Sequence, residues 1–133
     1  MAIQYSTTVN NARLDAIETA IGTSAILRIR TGSVPATPAT ADAGTVLATL
    51  SLPSDWMAAA SSGTKAKSGT WTDASADASG TAAHFRIYAS DGTTCHIQGT
   101  AGTSGTDMIL DSVSFTAGQT FTVNSFTITA GNA

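Results

Sequence analysis

The chain has 133 residues, a formal net charge of −3 and only 11% charged residues. That length fits one domain, and the charge density is less than half the usual share of about 25%. Six basic residues against nine acidic ones leave no electrostatic footprint for a phosphate backbone, so no nucleic-acid partner is expected.

No run approaches the roughly 18 apolar residues of a membrane span, so no membrane association is expected. The opening MAIQYSTTVNNAR has neither a basic nor an apolar leader region, and no signal peptide is expected. One Cys excludes an internal disulfide. Ala, Thr, Ser and Gly fill 74 positions, against 24 for Leu, Ile, Val and Phe. That composition predicts a thin core, and the low charge leaves little self-repulsion to oppose it.

In NNARLDAIETAIG, Leu14, Ile17 and Ile21 share one face at helical spacing. The pattern predicts a helix over 11–21, capped by Asn10 or Asn11 and ended by Gly22. So short a helix is not stable alone in water, so its apolar stripe must be buried on the domain or on a neighbour.

The period then changes to two. Residues 26–30 (ILRIR) read as a strand, and residues 32–44, with Pro35 and Pro38, as a long loop or extended arm. Residues 45–52 alternate as a strand that Pro53 stops. Ser54 and Asp55 then predict a short helical turn through residues 56–60. A short strand is expected around Trp71, with turns over 73–80.

HFRIYASDGTTCHIQG reads as a hairpin. A three-residue loop over 91–93 pairs Ile87 with Ile97, Arg86 with Gln98 and Tyr88 with His96. An equivalent bulge would serve the same matching of faces. Residues 99–106 read as a flexible loop and 108–116 as a strand. The last strand, TFTVNSFTIT, changes phase at Asn124 and Ser125, which predicts a bulge there. Short strands, frequent turns and one helix point to an all-β fold: an antiparallel β-sandwich or jelly roll with one short N-terminal helix. Residues 1–24 are expected to form an N-terminal arm and helix, and 25–133 a single β-sandwich domain.

Little in the chain suggests catalysis. His84, Cys95 and His96 are the soft-ligand candidates, but neighbouring strand residues point apart and three ligands do not converge. Cys95 reads as a small buried hydrophobe on the apolar face. Asp73 with Asp77, and Asp107 with Asp111, lack calcium-loop spacing. Glu18 is the only Glu, which argues against a carboxylate-pair hydrolase. No catalytic residue, metal or cofactor is expected. Trp71 reads as core, whereas Trp56 reads equally as core or as an interface anchor.

Three stretches, MAIQYSTTVNNARLDAIETAIG, LATLSLPSDWMAAASSGTKAKSGTW and HFRIYASDGTTCHIQGTAGTSGTDMILD, resemble a family of small virion structural proteins of tailed bacteriophages. The likeness covers most of residues 1–130. It implies a virion component, assembled in the host cytoplasm, whose partners are the major capsid protein or other virion proteins. The expected role is a non-catalytic capsid cement or decoration protein bound to the outer shell. The alternative is a tail component: a tube, terminator, baseplate or fibre module, including a receptor- or sugar-binding one built on Trp56, Trp71 and Tyr88. A thin core also predicts self-association as a dimer or trimer. The expected contact residues are Leu14, Ile17, Ile21 and Trp56, within the segment 1–24 and the LPSDWM stretch.

Overall fold

A computed structural model describes residues 3–130. Met1 and Ala2 of the expected arm and residues 131–133 of the expected domain lie outside the described residues. Helix α1 spans Thr7–Ile21 and begins four residues earlier than its apolar periodicity predicts. Its cap is Ser6, whose Oγ accepts from the Val9 amide at 3.2 Å, and not Asn10 or Asn11. Those two side chains have other partners: Asn10 Oδ1 accepts from Arg13 Nη1, and Asn11 Oδ1 from the Gly63 amide. Gly22 ends the helix at φ +98°, its amide bonded to the Glu18 carbonyl.

Ten strands follow among the described residues: β1 (Ile26–Arg30), β2 (Val46–Ser51), β3 (Thr64–Ala66), β4 (Thr72–Asp73), β5 (Gly80–Thr81), β6 (His84–Tyr88), β7 (Cys95–Gly102), β8 (Met108–Leu110), β9 (Ser114–Phe115) and β10 (Phe121–Thr129). They form an all-β, sandwich-like fold with one N-terminal helix. The main sheet curls through the order β2-β1-β6-β7-β8-β10-β3, with β4 also on β10, and β5 and β9 make a second, two-stranded sheet. Pairing is antiparallel except between β7 and β8, which run parallel.

Several local readings are corrected. Residues 54–60 form no helical turn, because their amides have other partners. Met57 N–H donates to Glu18 Oε2, Ala58 N–H to the Ala66 carbonyl and Ala60 N–H to Asp15 Oδ1. The expected loop 99–106 is strand as far as Gly102, and the expected strand 108–116 breaks into β8 and β9.

In the β6–β7 hairpin Ile87 faces Ile97 and Arg86 faces Gln98, as the matching of faces predicts. A bulge then places Cys95, not His96, opposite Tyr88. The predicted phase change in β10 is present, as a register shift between Val123 and Ser125 against β8.

The central strands bury both faces. Leu27 and Ile29 of β1 stand beside Ile87 and Phe85 of β6 and point into the core. All four Phe and both Trp are buried there. Ring centroids lie 6.1 Å apart for Trp56–Trp71, 5.8 Å for Trp71–Phe126 and 5.4 Å for Phe126–Phe85. The aliphatic shortage seen in the composition is thus met by a connected run of aromatic rings.

Candidate interaction surface

The four residues expected at a contact surface lie mainly inside the domain. Leu14 and Ile21 are buried, and Ile17 is half-buried against the core. The apolar stripe of α1 therefore lies on the chain's own body. Trp56 is fully buried, with its indole N–H donating to the Gly22 carbonyl at 3.0 Å. The expectation of Trp56 as a contact anchor is corrected, because its ring fills the space between α1 and Trp71. Trp71 and Tyr88 are buried as well, so none of the three rings forms an exposed platform for a sugar.

Polar contacts complete the docking of α1. Lys65 on β3 has a side chain only 2% exposed, and its Nζ lies 2.7 Å from Asp15 Oδ1 and 3.1 Å from Glu18 Oε1. Burial would push the ammonium pKa down, but the hydrogen bonds to Asp15 and Glu18 outweigh it and hold it above its ordinary value. Asp15 is held below the ordinary carboxylate value, first by its bond from Lys65.

The other face of β1 and β6 carries a polar layer that sequence reasoning missed. Arg30 stands beside His84, and Arg28 beside Arg86, which in turn faces Gln98 on β7. Residues 32–44 lie across this face as a strap. Arg86, 1% exposed, donates from Nη2 to the carbonyls of Thr37, Pro38 and Thr40. Gln98 Nε2 donates to the Pro35 carbonyl at 2.7 Å.

Asp42 is the one carboxylate on the strap. It accepts from Arg86 Nη1, from Arg30 Nη2 at 3.0 Å and from Tyr88 Oη at 2.7 Å. Burial would raise its pKa, but the bonds from Tyr88 and Arg86 and the charge of Arg30 hold it below the ordinary value. His84 Nδ1 lies 2.8 Å from the Gly32 carbonyl. A carbonyl can only accept, so Nδ1 carries the proton. Burial, with Arg30 and Arg86 nearby, lowers the His84 pKa. The signal for this layer was present in ILRIR and HFRIY, which alternate basic with apolar side chains, and in the lone Asp of residues 32–44.

This arrangement holds the strap in place. Cys95 is half-buried on the Tyr88 face, not on the apolar face, because the bulge moves it there. Burial raises its thiol pKa. Among the described residues no group of three or more His, Cys, Asp or Glu is placed to hold a metal ion. Asp73 and Asp77 act on the backbone and hydroxyl of Thr49, and Asp107 on Thr100. No described helix is long and apolar enough to cross a membrane.

Both outer edges of the main sheet are covered by the chain itself. On β2, Thr49 N–H donates to Asp73 Oδ2, and the Leu47 carbonyl accepts from Asp77 N–H. On β3, the Ala66 carbonyl accepts from Ala58 N–H. Covering an edge in this way blocks strand-to-strand association. The exposed large apolar side chains among the described residues are Ile3 (77%), Tyr5 (45%) and Val9 (43%), all at the head of α1. The Arg13 guanidinium lies over the Tyr5 ring at 4.8 Å. No protein-family model, curated protein or solved structure matches this chain.

Proposed function

We propose that this chain is a virion structural protein of a tailed bacteriophage, and within the virion a non-catalytic capsid cement or decoration protein. The resemblance of its three sequence stretches supports the virion role. The observation that carries the decoration reading is the pairing of closed sheet edges with one stretch of exposed large apolar side chains among the described residues. A body whose β2 and β3 edges are already bonded does not extend into a tube by adding strands at those edges. It attaches through side chains, and the apolar ones on offer lie at residues 3–9. Glu18 is bonded to Lys65 and Met57, so it is not free to act as a hydrolytic acid. The mechanism is mechanical: many copies make modest contacts across shell subunits, and repetition over the lattice multiplies them.

The test is a cryo-electron microscopy reconstruction of particles produced from the genome that encodes the chain. The expected result is density for this domain on the outer face of the head. Purified chain should also bind heads that lack it, and Val9→Asp should weaken that binding without lowering the melting temperature. Density in the tail would overturn the decoration role in favour of a tube, terminator, baseplate or fibre module. Absence from the particle would overturn both.

A further inference from the structure

The strap over β1 and β6 closes on itself at its root. Thr31 N–H donates to the Thr45 carbonyl at 3.1 Å, and Thr45 N–H to Thr31 Oγ1 at 2.9 Å. Joined ends of this kind define an Ω-loop. Gly32 and Gly44 stand at its two ends with φ of +83° and +75°, a region that side chains disfavour. A Cβ on Gly44 would lie 1.9 Å from the Thr31 carbonyl oxygen.

Between these ends the strap has little apolar anchorage. Val34 and Pro35 are half-buried, and every other residue of 32–44 is exposed. Its hold on the sheet is polar. The Gly32 carbonyl meets His84, the Pro35 carbonyl meets Gln98, and three carbonyls and the Asp42 carboxylate meet Arg86. The strands beneath keep their own ladder, β1 to β6 and β6 to β7. A segment with few buried apolar contacts belongs to the least stable part of a fold.

His84 lies under the root of the strap with none of its surface exposed. Its Nδ1–H is taken by Gly32, and its Nε2 is buried with no hydrogen-bond partner among the described residues. A proton arriving at Nε2 therefore meets no acceptor in the closed state. The charges around the ring oppose it too. Arg30 on β1 stands beside it, and Arg86 follows two residues along β6. Asp42 is the carboxylate on the strap, and both arginines already share it. On β7 the opposite residue is the uncharged Thr100, whose hydroxyl is bonded to Asp107. The bond to Gly32 favours the imidazolium, but burial outweighs it. Water is the acceptor that relieves a second proton, and the ring reaches water once the strap lifts.

We infer that residues 32–44 are an acid-released strap: proton uptake at His84 Nε2 favours a state in which the strap has swung out on Gly32 and Gly44 while β1, β6 and β7 stay paired. Release carries Asp42 away from Arg30 and Arg86 and so uncovers a cationic sheet face. None of this depends on the virion role.

The experiment uses the full chain with His96→Asn, which leaves His84 as its one histidine and Cys95 as its one thiol. Cys95 lines a cavity of about 610 Å³ together with Thr37, Pro38 and Ala39 of the strap, so an open strap exposes it. Between about pH 7.5 and 5.5 neither Asp42, held below 3.8, nor the Cys95 thiol, raised above 9.0, titrates. One bound proton shifts an opening equilibrium by at most about tenfold per pH unit. The rate of Cys95 with 4,4′-dithiodipyridine, relative to urea-unfolded chain at the same pH, should therefore rise about three- to tenfold on acidification. The far-ultraviolet circular dichroism should not change. The heteronuclear NOE of residues 33–43 should fall over the same range while that of β1 and β6 holds. Adding His84→Asn, whose amide can still donate to Gly32 but does not titrate, should abolish both responses. A labelling rate indifferent to pH, a rise that tracks loss of circular dichroism, an unchanged NOE, or a full response in the His84→Asn chain would each overturn the inference. All these readouts are made without particles, so their failure leaves the proposed virion role untouched.

Discussion

Asp42 shows how much one side chain holds. Two arginines that are almost fully buried share its carboxylate, and removing it leaves both without their countercharge. Breaking a fully buried pair costs about 3–5 kcal/mol. The Asp42 side chain is 37% exposed, and solvent screening reduces the figure, so Asp42→Asn should cost about 2 kcal/mol in urea unfolding. Because its folded pKa lies below the ordinary 3.8, this stabilisation is complete above that value. It is lost as pH falls through the lower folded value.

His84 acts over a different range. Its folded pKa is below 6.5, so as pH drops under 6.5 the unfolded chain takes up the proton first and stability falls. Melting curves between pH 7 and about 5 should show that decline, and His84→Asn should flatten it. The alternation that makes this layer was legible in the sequence. The partnership was not, because Asp42 meets Arg86 across 44 residues of chain and local periodicity carries no information about such a contact.

Among the elements, those read best had side chains that fix their own geometry. The β10 bulge followed from apolar residues changing phase, and the hairpin register over Ile87 and Ile97 from matching faces. The failure at residues 54–60 has a definite cause. Ser54 and Asp55 look like a cap, but the amides after them bond to Glu18, Asp15 and Ala66, so long-range partners override a local signal. The same contacts dock α1. Glu18→Ala removes the acceptor for Met57 N–H and one partner of Lys65. It should cost about 1–3 kcal/mol, as for a buried donor left unpaired, and amide exchange should rise first in α1 and residues 56–60.

For the molecule as a whole, the thin core expected from composition is only half of the account. Large aliphatic residues are few, but the aromatic run from Trp56 through Trp71 and Phe126 to Phe85 links the segment after β2, the residue before β4, β10 and β6 through the interior. Trp56→Ala would open a cavity at one end of it and also lose the bond to Gly22. We expect a loss of about 3–5 kcal/mol in chemical unfolding, a folding defect and not a selective loss of partner binding. Whether Trp56 was core or anchor could not be decided from LPSDWM, since indole rings serve both roles. Only the position of Gly22 and Trp71 around it decides the matter.

The order of the strands has a consequence for how the protein is made. Strand β10 follows every other described strand, yet β3, β4 and β8 all pair with it. These three emerge from the ribosome well before the partner they share, and β1 waits similarly for β6. The nascent chain therefore cannot close its sheet until β10 has been made, and long-range pairing of this kind folds slowly. A ribosome that stalls before residue 121 releases a product lacking the strand that joins the others. Such fragments cannot complete the fold.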